Sequence, residues 1–111
     1  IRAANMRTSD VGILRVYITE GERQLNELIG FVKEKEEVRG FTVYRGAYGF
    51  GPSGHVHIAE TSDTSLDLPL VMEMFDEPGK IQRLMKHLSQ KVKPGHLLSW
   101  SAKMNIDGIS E

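Results

Sequence analysis

The chain contains no cysteine, so disulfides, thiolate nucleophiles and cysteine-based zinc sites are excluded by chemistry alone. Its longest apolar runs are a few residues, far short of the roughly 20 that a bilayer-spanning helix needs. Neither sign of charge is in excess. Lysine and arginine together number 14 against 15 aspartates and glutamates, a formal net charge of -1, and like charges never form a long block. A dedicated nucleic-acid binder carries a basic field that this composition does not supply. No charged-then-apolar leader precedes the first strand, and the chain is read as cytoplasmic. What is present, 40% hydrophobic and 26% charged residues in a chain of 111, suits one folded domain around one core.

Hydrophobic periodicity divides the chain into six elements. Ile13 to Thr19 alternates, with Leu14, Val16 and Ile18 on one face and Ile13, Arg15 and Tyr17 on the other, which predicts a strand. From Glu22 the period changes: Leu25, Leu28, Ile29 and Val32 form a helical stripe that ends in the charged run Lys33 to Glu37, with Gly40 as the expected terminus. Phe41 to Tyr48 alternates again and predicts a second strand. Leu68 to Phe75 predicts a third, with Leu68, Leu70, Met72 and Met74 opposite Val71, Glu73 and Phe75. Asp76 is the expected N-cap of a second helix, with Pro78 in its first turn and Ile81, Leu84, Met85, Leu88 and Val92 as its stripe. Lys93-Pro94-Gly95 stops that helix, and His96 to Ser101 predicts a short last strand.

The order β-α-β-β-α-β is the ferredoxin-like arrangement, an α+β sandwich in which right-handed crossovers put two helices on one face of a four-stranded antiparallel sheet. The boundaries are a flexible arm over residues 1–12, the domain over 13–103 with a long loop at 52–67, and a tail over 104–111. Two helices cover only one side of a sheet. Whichever side the helices take, the opposite one still carries large apolar groups such as Tyr17, Val71 and Phe75 with Leu98 or Trp100. Burying several such side chains at about 25 cal/mol per Å² favours association by several kcal/mol, so self-association is expected over ordinary surface apolarity.

Four segments carry a family resemblance: Leu14-Arg15-Val16-Tyr17-Ile18, Arg39-Gly40-Phe41-Thr42-Val43-Tyr44-Arg45-Gly46, Tyr48-Gly49-Phe50-Gly51 and Asp67-Leu68-Pro69-Leu70-Val71. Together, over about Ile13 to Trp100, they resemble the proteins grouped as domain of unknown function 190. That family is similar in turn to the PII signal-transduction superfamily. The resemblance implies a homotrimer whose sheets line its interior, an adenine nucleotide effector in clefts between subunits, and a loop between the second and third strands that contacts a partner protein such as a membrane transporter. By position, the base of that loop matches Gly49-Phe50-Gly51, and the loop itself Pro52 to Asp67, including Ser53, His55 and His57. The second phosphate-binding loop matches Lys91 to Gly95. There the PII glycine-rich pattern is reduced to Lys91-Val92-Lys93-Pro94-Gly95, and the basic pair of the PII carboxy-terminal segment has only Lys103 as a counterpart.

The chemistry of these residues agrees. Gly49 and Gly51 would let backbone N–H groups approach an anion without Cβ obstruction, and Arg45, Lys91 and Lys93 would supply positive charge to phosphate oxygens. The simpler account is that the glycines only let a strand turn and the lysines end a helix. His55 and His57 would point the same way in an extended stretch, and with His87, His96 or Glu60 they define the alternative, a metal- or pH-responsive interaction module. Arg39-Gly40-Phe41 and Val16-Tyr17-Ile18 resemble RNA-recognition strands, but the basic-glycine-aromatic box falls on the second strand, where that motif has it on the third. No Ser/His/Asp, paired-carboxylate or P-loop spacing is present. The expectation is a regulatory protein with no cofactor and no catalytic residues.

Overall fold

A computed structural model describes residues 6–50, 56–58 and 69–108. The elements in chain order are β1 (Thr8–Ile18), α1 (Gly21–Gly30), β2 (Phe41–Arg45), β3 (Tyr48–Phe50), β4 (Val56–Ile58), β5 (Leu70–Asp76), α2 (Pro78–Leu88) and β6 (Leu97–Asn105). β2, β5, β1 and β6, in that spatial order and all antiparallel, form the main sheet, while β3 and β4 pair as a separate two-stranded ribbon. This is the ferredoxin-like α+β architecture that the element order implied.

Both helices lie on one side of the main sheet because the apolar stripes and the even-numbered strand positions meet there. Leu14, Val16 and Ile18 of β1, Leu70, Met72 and Met74 of β5, Leu25, Leu28 and Val32 beside Ile81, Leu84 and Leu88 form one buried cluster. Val92, just past α2, closes it. The two strand alternations and the two helical stripes therefore describe a single core.

Several boundaries differ from the sequence expectation. β1 starts at Thr8, so residues 8–12, expected in an arm, pair with Ser101–Asn105 of a β6 that also runs past its expected end at Ser101. The cause lies in side chains that anchor both ends: Lys103 Nζ reaches Asp10 Oδ1 at 2.6 Å, and Arg7 binds Asp107 through both its backbone N–H and its guanidinium. The first helix ends before Gly40: α1 passes after Gly30 into a π-helical turn over Phe31–Lys35, and Glu37, not Gly40, takes the left-handed conformation with φ 52°. Val38 N–H then donates to the Val32 carbonyl and closes the end.

β2 stops at Arg45 instead of running to Tyr48, and residues 56–58 of the expected loop are the strand β4. Pro69 explains the break. Its carbonyl accepts a 2.7 Å hydrogen bond from Gly46 N–H, and its ring packs so closely that a Cβ on Gly46 would stand 3.1 Å, and one on Gly49 3.0 Å, from ring carbons. Asp76 is not an N-cap of α2; it ends β5. Its Oδ1 accepts from Glu77 N–H at 2.8 Å and its Oδ2 from Arg39 N–H at 3.0 Å, with Lys80 Nζ 3.4 Å away. One carboxylate thus joins the end of β5 to the segment before β2. Burial by itself pushes that carboxyl pKa up; the two N–H donors and the charge of Lys80 outweigh it and hold the pKa below the ordinary aspartate value.

Candidate functional site

The side of the main sheet away from the helices is amphipathic. Register places Phe75, Ile13 and Trp100 in one row across three strands, and Thr42, Glu73, Arg15 and Leu98 in the next across four. A third row holds Tyr44, Val71 and Tyr17. Tyr17, Tyr44, Phe75, Leu98 and Trp100 are each between 37% and 51% exposed, an uncommon density of large apolar groups for one solvent-facing surface. In their midst Arg15 binds Glu73, Nε to Oε1 at 2.8 Å and Nη2 to Oε1 at 2.7 Å, and its guanidinium lies 5.2 Å from the centre of the Trp100 ring. A hydrogen bond to Tyr17 and those to Glu73 raise the arginine pKa further above its already basic value. The pair was open to sequence reasoning, since Arg15 and Glu73 interrupt the apolar positions of the same two strand faces with opposite charge.

Phe41, the aromatic of the RNA-recognition-like segment, lies opposite Met74 and packs against the core. It is not displayed on the open face, so the stacking platform that motif requires is absent at this position.

Of the expected anion-binding residues, Arg45, Gly49, Phe50, Lys93 and Gly95 lie at one end of the main sheet but on its two opposite edges. Arg45 is the last residue of β2, level with Leu70 and Ile18. Its Nη2 binds Glu22 Oε1 in the first turn of α1 at 2.6 Å. Gly49 and Phe50 follow in β3, and Phe50 is 68% exposed. Across the sheet, the turn that holds Lys93 and Gly95 leads into β6. Gly95 adopts φ 86°, His96 N–H donates to the Lys93 carbonyl, and the His96 carbonyl accepts from Tyr17 N–H at 2.9 Å, which ties the turn to the end of β1. Three strand spacings separate the two edges, about 14 Å. The structure therefore gathers Arg45, Gly49 and Phe50 into one group and Lys93 and Gly95 into another, without joining them in a single chain. Lys91 belongs to neither, because its ammonium lies 4.8 Å over the Phe31 ring of the π-helical turn.

Gly51, Ser53 and His55 lie outside the described residues, as does the His57 side chain, although the His57 backbone pairs with Gly49 across the ribbon. Gly49 packs against Pro69 tightly enough that any Cβ there would press on the ring, a reason for glycine unrelated to ligand approach. The histidines named as metal companions are engaged elsewhere: His87 Nδ1 is 2.8 Å from Glu36 Oε2, and His96 Nδ1 is 3.1 Å from the Pro94 carbonyl. Among the described residues no group of three or more metal-ligating side chains is present. A shallow groove between α2 and β6, lined by Gly12, Pro78, Gln82, Ser99 and Ser101, contains none of the expected site residues. Missed by sequence reasoning were the Glu22–Arg45 pair, joined across 23 positions, and the bridging role of Asp76. An isolated carboxylate in a strand otherwise buried on that face was the available signal for the second.

Solved structures share this architecture. The nitrogen regulatory PII-like protein CPII from Thiomonas intermedia K12, bound to ADP, AMP and bicarbonate, superposes with a TM-score of 0.62 over 92% of this chain and 100% of that one, at 10% identity. CutA1 from Oryza sativa superposes with a TM-score of 0.55 over 93% of this chain and 85% of its own, at 12% identity. The fold is thus of the PII-like class. At the level of sequence, residues 11–104 match the model of DUF190, described as an uncharacterized ACR, and the chain belongs to that family. It is also 30% identical over 90 residues to the UPF0166 protein MJ1524 of Methanocaldococcus jannaschii, an alignment covering 78% of this chain and 82% of that protein.

No helix among the described residues is long and apolar enough to cross a membrane.

Proposed function

We propose that this protein is a homotrimeric PII-like regulator that binds a small anionic ligand, an adenine nucleotide, in clefts between subunits. One observation carries the reading: residues suited to hold phosphate sit at one end of the sheet on opposite edges, Arg45, Gly49 and Phe50 on one side and Lys93 and Gly95 on the other. A neighbouring copy that brings its β6 edge to the β2 edge of the first completes a site that neither has alone. The open face supplies the driving force, since Tyr17, Phe75, Leu98 and Trp100 lose water when copies pack sheet to sheet. CPII, whose fold this chain shares, holds ADP and AMP, and that likeness points to the same ligand class.

In this reading Arg45 meets the phosphates as a planar donor, and Lys91 joins it only after leaving the Phe31 ring. Gly51 completes the Gly49-Phe50-Gly51 approach to the ligand. The segment 52–67, with Ser53, His55 and His57, docks on a partner protein such as a membrane transporter. Regulation requires the nucleotide to favour one arrangement of that segment, because a ligand with equal affinity for two states shifts neither. The protein acts by binding and not by catalysis.

Calorimetric titration with AMP, ADP, ATP and cyclic nucleotides, combined with sedimentation at micromolar concentration, tests this. The expected result is a trimer that binds at least one of them at one site per subunit without turnover. A monomer, or silence across the panel, refutes it.

A further inference from the structure

We infer that Glu22 is an internal competitor at the proposed ligand site, one that sets its affinity for phosphate: its carboxylate holds Arg45 until a phosphate displaces it. The inference rests on the nucleotide reading above and adds to it a competitor within the same chain. Arg45 Nη2 lies 2.6 Å from Glu22 Oε1, and the two side chains are 37% and 32% exposed. A ligand can therefore reach the pair without any element unfolding. Glu22 is one of the contacts of Arg45, and it occupies the guanidinium that the reading assigns to phosphate.

Release of Glu22 is inexpensive for a structural reason. It stands in the first turn of α1, whose N-cap position makes no side-chain hydrogen bond. The positive end of the helix dipole favours a carboxylate there. Once a phosphate takes Arg45, Glu22 keeps a favourable environment instead of being left as an isolated charge. The exchange acts only on ligands that carry phosphate: AMP, ADP and ATP must each overcome the same internal carboxylate, whereas adenosine neither gains from Arg45 nor has to displace Glu22. Arg45 is also the last residue of β2, directly before Gly46 and its bond to Pro69, so the exchange takes place where the main sheet hands over to the β3–β4 ribbon.

The test is calorimetric titration of ADP and adenosine into the full chain and into Glu22→Gln and Glu20→Gln. Glu20 is exposed and takes part in no ion pair among the described residues, so its variant removes the same charge without touching Arg45. A partly exposed ion pair is worth about a two- to fivefold change in an equilibrium. Glu22→Gln is expected to bind ADP tighter by that factor, with adenosine unchanged and Glu20→Gln like the parent. Equal ADP affinity in the parent and Glu22→Gln, or an equal gain in both variants, overturns the role of Glu22 and leaves the nucleotide reading standing. Silence of all three proteins toward ADP overturns the nucleotide reading, and the competition with it.

Discussion

Gly12 of β1 lies directly beneath Ile81 of α2, so close that a Cβ on the glycine would stand 2.9 Å from the isoleucine Cβ. The helix rests on the strand backbone at this point. Gly12→Ala is expected to destabilise the fold by about 1–3 kcal/mol through overpacking. Ile81→Ala added to it should interact with that cost in a double-mutant cycle, because the two residues share one contact. Urea denaturation of the two single variants and the double variant measures this.

Met72 is fully buried between the two helices and β1. Met72→Ala removes most of a side chain at the centre of the core and is expected to cost about 2–5 kcal/mol. Trp100→Glu changes a residue on the open face, so its fold should persist in circular dichroism while self-association is lost in sedimentation. A Trp100→Glu protein that sediments as the parent does would count against sheet-to-sheet packing.

Glu73 offers a second measure of that packing. In the single chain Arg15 and Glu73 are 35% and 24% exposed, and water solvates whichever partner of so accessible a pair remains, so removing one costs the fold little. Beneath a neighbouring subunit the stranded Arg15 would be a desolvated, unpaired charge, which costs far more. Glu73→Ala is therefore expected to weaken assembly far more than folding, read by comparing its dissociation constant with its unfolding free energy at a concentration where it is monomeric.

Asp76 makes stability depend on pH. Its folded pKa lies below the unfolded value of about 3.9, so its contribution is fully present above that value and is lost as pH falls through the lower folded value. Denaturation measured from pH 6 down to pH 2 should show the parent losing stability below about pH 4. Asp76→Asn should start less stable and show a shallower loss over the same interval.

Much of the fold was legible because alternation and helical stripes report burial directly. Leu14, Val16 and Ile18 against Leu70, Met72 and Met74 were readable as the covered face, and the structure buries all six. The boundaries were less legible. β1 and β6 extend through Ser9, Asp10, Lys103 and Met104, which carry little apolar periodicity and are held by cross-strand ion pairing, a contact between residues 93 positions apart. The break after Arg45 was hidden for a similar reason: Tyr48 continues the alternation, and only the packing of Pro69 on Gly46 and Gly49 ends the strand. The candidate site was legible as residue types and not as a place. Arg45 and Lys93 were both identifiable as cations, but their separation by the width of the sheet follows from strand order.

By itself the amino-acid sequence determined the classes of element, the face of each that turns to the core, and the surplus of apolar side chains on the other face, since these follow from local periods of two and 3.6 residues. Tertiary structure alone decided that Arg45 meets Glu22, that Asp76 ties the end of β5 to the segment before β2, and that the halves of the proposed ligand site stand on opposite edges. Each is a contact between distant positions, set by strand order and helix placement, and no local pattern encodes the distance between them.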